Sequence, residues 1–593
     1  MIAHQDHRAA WVAAGDINLT FASERWHTLV FRTRHGRQEM HRRQLELCVF
    51  THLALDLKAG DLAVLGAEQY ADYRTQLLPW EECTRLLESY CAEVGLPTTA
   101  RAFVQQLRQD LTTTAEAADR GDPENTALTI TPQGEPVLKR PLAKQQPASV
   151  LELEAAVQTR LPERHLLDVL WLVEQAVHYT RHCGPLSGFD ATLEHAEERY
   201  CLTLFAMGSG MGVSQGARHM QGLITAPTLS LINRRHITSE KLDAAARDIL
   251  DAYSRFQLPR SWGSGKTASF DGTLFELAEQ NLLADFHFRY RLKGAVAFHV
   301  VSDLYMALFT HFIPPGVWEA VYIIEALMQN RSTIQPDTVF ADTQGQSTPV
   351  FAFPHLLGIQ LMPRIRNWKD LRFYRPAPHV HYQHIDSLFT DVIDWEGIET
   401  YWQDLMPVSL SIYTGRLSSP ILLRKLGNWS RRNRLYQAAQ EVGRVKRTIY
   451  LLRWISDATL RSGVTAGTNK AEGYHALAKW LQFGSEGIIT ENDPDEQQKR
   501  ARYLGVLTSA LLFWNVAEMP RVIGELIEEG YPVQIEDLAF LSPYVTRHIK
   551  RFGDYTLHTE LAPGPIAYDL ELSRQQPSPA IQITLPFLQA VEG

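Results

Sequence analysis

The sequence predicts a multidomain α+β protein in which a mainly helical region precedes a mixed α/β sheet and a second helical region follows. Three observations predict it. At 593 residues the chain exceeds what one hydrophobic core holds, roughly 250 to 300 residues, so several domains are expected. Hydrophobic spacing is helical from about 38 to 253, gives way to short strand-like runs, and turns helical again from about 386 to 530. Within the β-rich stretch, three strands, a helix and a further strand follow in the order of a mixed sheet.

Taken in order, "EMHRRQLELCVFTHLALDL", "PWEECTRLLESYCAEVG" and "LPERHLLDVLWLVEQAVHYT" repeat apolar residues at helical spacing. "ALTITPQGEPVLKR" alternates around Gln133-Gly134 and reads as a hairpin, with "AADRGDPENT" before it as an exposed loop. Helix resumes from about 190 and stops at "QLPRSWGSG". The strands are "TASFDGTLFE", "GAVAFHVVSDLY", "ALFTHFIPP" and "DTVFADTQG", with the helix "WEAVYIIEALMQN" before the last and the apolar run "LGIQLMPRI" after it. From about 561 the proline-rich tail is expected to be extended or partly disordered.

Composition describes an ordinary globular chain: 45% hydrophobic, 21% charged, 10% aromatic. No apolar run approaches the roughly 18 residues of a membrane span and the N-terminus lacks a signal-peptide core, so a cytoplasmic protein is expected. Cys48, Cys83, Cys91, Cys183 and Cys201 form no C-x-x-C pair and are read as buried hydrophobes.

"GSGKT", residues 263–267, imitates a phosphate-gripping loop, but the first glycine of that motif falls on Arg260 and β-branched residues follow where a helix should open. A strand presenting Asp271 is the better reading. The net charge of -9 hides a local excess: residues 424–453 carry nine basic residues against the single acid Glu441. They are Arg424, Lys425, Arg431, Arg432, Arg434, Arg444, Lys446, Arg447 and Arg453, interleaved with Trp429 and Tyr436, a pattern suited to a phosphate backbone and stacked bases. Two smaller basic runs, "PRIRNWKDLRFYR" and "RTRHGRQEMHRR", favour a long polyanion over a small phosphate ligand. "HVHYQH" (His379, His381, His384) reads as a polar surface loop rather than a metal site, since no fourth ligand is evident.

Among 67 acids, context selects three. Asp271 lies in the first strand, Asp342 closes a later one, and Glu472 sits early in a helix that Thr468 or Asn469 is expected to cap. Carboxylates from two strands and one helix can converge at a sheet edge, where they repel one another unless a hard cation such as Mg²⁺ occupies the site. His475 and Lys479, three and seven positions after Glu472, share its helix face.

These segments, with "LRKLGNWSRRNRLYQAAQEVGRVKRTIYLLR", "TNKAEGYHALAKWLQFG", "SALLFWN" and "LSPYVTRHIKRFGDYTL", resemble the Tn3-family transposases in order over roughly residues 20 to 560. The resemblance implies an RNase H-like core with the acidic triad Asp271, Asp342 and Glu472 holding two Mg²⁺ (or Mn²⁺) ions, and a helical insertion between the second and third acids. It implies DNA contacts from Arg424, Lys425, Arg431, Arg432, Arg434, Arg444, Lys446, Arg447, His475 and Lys479. The expected division is a helical region over 1–165, available for dimerisation or DNA contact, and a helical scaffold over 166–260. The core would follow in two parts, 261–372 and 466–560, around a basic insertion over 373–465, with the tail at 561–593.

The implied activity is 3′-end cleavage and strand transfer in replicative transposition. Its partners would be transposon-end and target DNA and a second copy of the chain, with a resolvase acting separately on the cointegrate. The family's end-binding region would precede this chain, so the alternative is a non-catalytic DNA-binding or dimerising remnant that modulates a full-length transposase.

Overall fold

The computed structural model describes residues 10–14, 17–59, 62–66, 72–139, 146–187, 193–277, 285–287, 292–313, 322–417, 434–489, 493–553 and 555–568.

The chain opens with a small unit not foreseen in the sequence: β1 (Trp11–Ala13), α1 (Glu24–Val30), β2 (Phe31–Arg34), β3 (Arg37–His41) and α2 (Arg42–Ala59). Its sheet runs β1-β3-β2 over a separate core of Val12, Leu19, Val30, Met40, Leu45 and Cys48. The helical period read across residues 38–56 hid β3, because strand and helix abut at His41 and Arg42.

Next come α3 (Trp80–Val94) and α4 (Ala100–Gly121). Gly95, at φ 71, ends α3 in the left-handed conformation that costs glycine no Cβ clash, and the Thr99 side chain caps α4 by accepting from the Ala102 amide. α4 runs through the first half of the expected loop before a 3-10 turn at Asp122–Glu124. The hairpin forms as read, β4 (Leu128–Ile130) against β5 (Pro136–Leu138). α5 (Ala148–Arg160), β6 (Arg164–His165), α6 (Leu166–Val177), α7 (Ala196–Gly208), α8 (Gly212–His219), α9 (Ala226–Arg235) and α10 (Ser239–Tyr253) complete the helical region.

The central sheet holds β7 (Thr267–Glu276), β8 (Asp285–His287), β9 (Leu292–Ser302), β10 (Ala307–Ile313), β11 (Thr338–Ala341) and β12 (Gln360–Pro363), in spatial order β10-β9-β7-β11-β12 with β8 on β9. β7, β9 and β10 are antiparallel, whereas β11 runs parallel to both β7 and β12. The parallel strands need crossovers, which α11 (Tyr322–Gln329) and α12 (Thr348–Leu356) supply. β13 (Phe373–Arg375) pairs with β14 (Phe389–Val392), and then come α13 (Trp395–Tyr413), α14 (Arg434–Ser456), α15 (Ala458–Leu481), α16 (Pro494–Glu528), α17 (Ile535–Leu538) and β15 (Ile549–Lys550). The tail from 569 lies outside the described residues.

Strand alternation decides what covers the sheet. Ala268, Phe270 and Leu274 of β7, Val296, Phe298 and Val300 of β9, and Val339 and Ala341 of β11 face a core built from α3, α4 and α11 to α14. Phe275, Ala297 and Val301 face the opposite core, built from α5 to α10, α15 and α16. Each core therefore draws on segments far apart in the chain: Leu170 and Phe205 pack in the same cluster as Tyr474 and Phe513. The described part of the 373–465 block shares its core with α3 and α4. No described helix is long and apolar enough to cross a membrane.

Candidate active site

β7 and β11 are paired in register up to Phe270 and Ala341, so Asp271 and Asp342 are the next residue on each of two adjacent parallel strands. Neighbouring strands lie about 4.8 Å apart, which brings the two acids to one place. Phe270 and Ala341 face the first core, so alternation turns Asp271 and Asp342 toward the face that α15 crosses. Both are half-buried, and the Gly272 amide donates to Asp271 Oδ1 at 2.9 Å. Asp342 stands at ψ 177 before a 3-10 turn, Thr343–Gln346, where its carbonyl accepts from Gly345 N at 2.9 Å.

Helix α15 lies close over these strands at Gly467. A Cβ there would sit 2.2 Å from Phe340 Cδ2 and 2.9 Å from Ser269 Oγ, so only glycine lets helix and strands approach this far. The helix begins earlier than the sequence suggested: Asp457 caps it by accepting from the Thr459 and Leu460 amides, and Thr468 and Asn469 are interior. The buried positions Val464, Thr468, Ala471, Tyr474 and His475 continue one face with no break at 468, which is why the expected start was wrong. Glu472 is exposed and borders this face, three residues before His475. Among the described residues no three His, Cys, Asp or Glu side chains are gathered to hold a metal ion.

His475, expected at the DNA, is instead buried, with Nδ1 3.5 Å from Asp271 Oδ2. Burial, and secondly the Lys479 charge, pushes its pKa down to about 3, so the imidazole is neutral and the contact is not an ion pair. His299, opposite Asp271 in the β7–β9 register, lies beside the His475 ring, tilted to it with centroids 5.0 Å apart. Burial, then His475, holds His299 well below the usual range. Neither His475 Nε2 nor His299 Nδ1 finds a hydrogen-bond partner. Lys479 is exposed two turns beyond Glu472.

The remaining basic candidates separate. Arg424, Lys425, Arg431 and Arg432 lie outside the described residues, as does the side chain of Arg434. Arg447 is buried and donates to the Gln346 carbonyl at 3.4 Å, bracing the turn after Asp342 rather than facing solvent. Arg444 pairs with Glu441 and lies 5.1 Å over the Tyr374 ring, while half-buried Lys446 is pushed down to about 8 by desolvation. His379, His381 and His384 are exposed in a loop whose amides at 383–385 donate to Asp119.

Two half-buried groups escaped the sequence reading. The Asp303 carboxylate accepts from the Ser264 and Gly265 amides at 3.0 and 2.9 Å and from Thr267 Oγ1 at 3.1 Å. The "GSGKT" loop thus wraps an anion, but the anion is the protein's own. Lys470 of α15 donates to the carbonyls of Trp262 and Asp303 at 2.8 and 2.7 Å and lies 4.6 Å over the Tyr305 ring. Burial pushes Lys470 down to about 8 and raises Asp303. The pair ties the helix of Glu472 to the β7 and β9 ends. Only the adjacency of Lys470 to Glu472 hinted at it.

Asp271 and Asp342 thus lie side by side on paired strands beneath a closely packed helix. Residues 168–555, more than half of the chain, match the family described as Tn3 transposase DDE domain, and the chain belongs to that family. It is 29% identical over 549 residues to the transposase for transposon Tn501 of Pseudomonas aeruginosa, covering 91% of this chain and 54% of that protein. Against the transposase for transposon gamma-delta of Escherichia coli (strain K12) the identity is 28%, over 90% of this chain and 53% of the relative. The transposase for transposon Tn4556 of Streptomyces fradiae is 24% identical, over 93% of this chain and 62% of the relative. The chain spans about half the length of most curated relatives it matches.

Proposed function

We propose that this chain carries the phosphoryl-transfer chemistry of a Tn3-type DNA transposase, nicking a transposon 3′ end and joining the freed 3′-OH to a target phosphodiester. The observation that carries the reading is the in-step position of Asp271, within β7, and Asp342, just past β11, on neighbouring parallel strands under the helix of Glu472. Three antiparallel strands followed by two parallel ones, in the order β10-β9-β7-β11-β12, support an RNase H-like core, with α13 and α14 in the helical insertion.

Two adjacent carboxylates fit Mg²⁺ or Mn²⁺, which take a few protein oxygens and draw the rest from water and phosphate. Glu472, exposed at the rim, completes the set when DNA is seated. Two such ions, when bound, stabilise the attacking and leaving oxygens of an in-line displacement. The Gly272 amide orients Asp271, and His475, held neutral by burial, adds no positive charge to compete with a cation. Transposon-end and target DNA are the substrates, a homodimer the working assembly, and a resolvase acts later on the cointegrate.

Asp342→Asn removes a ligand charge while keeping shape. It should abolish Mg²⁺-dependent nicking of end-containing duplex and leave DNA binding intact; retained nicking refutes the assignment. A non-catalytic remnant would instead bind DNA but fail to transfer pre-nicked ends even when a separate end-binding region is supplied.

A further inference from the structure

The small N-terminal sheet has an outer face that its own fold does not explain. Val12, Phe31 and Met40 point into the unit's core, so Trp11, Arg32, Arg34, Arg37, Glu39 and His41 lie on the opposite face by alternation. There Arg32 covers the Trp11 ring at 3.9 Å and pairs with Glu39 at 2.7 Å, a self-contained set. Arg34 and Arg37 are different. They are directly opposed across the β2–β3 ladder, flank the His35-Gly36 turn (φ 50 and 72), and are exposed, their side chains without a charged or hydrogen-bonding partner among the described residues.

Like charges facing each other across strands destabilise a hairpin. A second unfavourable placement adjoins the first: α2 opens with Arg42 and Arg43 and has no acid in its first turn, against the helix dipole. Arg43 is also exposed, with no side-chain partner among the described residues. Three free arginines at positions that cost folding energy point to an external anion. Their spread over a hairpin tip and a helix start, with no enclosed pocket, suits a chain of phosphates rather than one, and a two-stranded ribbon has the width of a DNA groove.

We propose that the β2–β3 hairpin and the start of α2 form a contact for the backbone of duplex DNA, with Arg34, Arg37 and Arg43 each meeting a phosphate without reading sequence. This rests on the transposase reading in that the DNA would be the duplex flanking the reacting end.

The test is fluorescence anisotropy of the full chain on a duplex of arbitrary sequence, titrated across salt concentrations, for Arg34→Ala/Arg37→Ala beside Asp342→Asn. Losing two phosphate contacts should weaken binding roughly tenfold or more near 0.1 M salt and reduce the log–log salt slope by about 1.8. The melting temperature should not fall, because removing the opposed like charges relieves a repulsion in the folded hairpin. An unchanged affinity and slope overturn the proposal while leaving the catalytic reading intact if Asp342→Asn still binds and fails to nick. A loss confined to self-association, with DNA binding kept, also overturns it and assigns the face to a protein partner.

Discussion

Gly467→Ala probes whether α15 sets the distance between the strand-borne and helix-borne acids. The added Cβ would meet Phe340 at 2.2 and 2.8 Å and Ser269 Oγ at 2.9 Å. Carbon atoms pack at about 3.5 to 4.0 Å, so helix and strands must part by roughly an ångström. Alanine favours the helix by about 1 kcal/mol, and overpacking costs about 1 to 3 kcal/mol. The clash wins because both neighbours are strand-held: Phe340 precedes Asp342 by two residues and Ser269 precedes Asp271 by two. Gly463, one turn earlier, is the control, since a Cβ there meets nothing within 4 Å. Gly463→Ala should therefore stabilise by about 0.5 to 1 kcal/mol with activity unchanged. Gly467→Ala should destabilise by about 1 to 2 kcal/mol and lower Mg²⁺-dependent nicking about a hundredfold, the scale of a 1 Å misplacement. Urea unfolding and a nicking assay on short end-containing duplexes read both. A Gly467→Ala protein that unfolds like Gly463→Ala and nicks at the parental rate refutes the reasoning.

Four further outcomes follow from the shielded groups and the exposed rim. Asp303→Ala strands the Ser264 and Gly265 amides and leaves Lys470 without its counter-charge, lowering stability by roughly 2 to 4 kcal/mol. Because that loop is filled, adding ATP at constant Mg²⁺ should not raise the melting temperature of the parent protein; a rise above that with Mg²⁺ alone means the loop binds nucleotide. His548, buried against Asn515 at 3.0 Å, is pushed down by burial to about 4 from 6.5. The unfolded chain takes the proton first, so stability present above pH 6.5 is lost as pH falls toward 4, by roughly 3 kcal/mol. His548→Gln should flatten that limb of the urea midpoint; an unaltered limb contradicts it. Lys479→Ala should reduce the salt slope of DNA binding by about 0.9 with melting unchanged, and an unaltered slope removes Lys479 from the interface.

The sequence by itself determined the chain order of β7, β9, β10, α11 and β11, the place of Asp271 within the first of these strands and of Asp342 at the close of the last, and the family. Those features are local: alternation, turn residues and short motifs are written along the chain. It did not determine which charges are free. Arg447 and His475 carry the residue types of a DNA surface and are buried, one under the turn after Asp342, the other beside Asp271. Their fate depends on which helix face meets the sheet, and that is fixed by contacts between segments up to hundreds of residues apart. Asp303 and Lys470 likewise acquire their roles only when α15 closes over the β7 and β9 ends. Tertiary structure alone decided these placements, because burial and pairing are properties of space rather than of chain order.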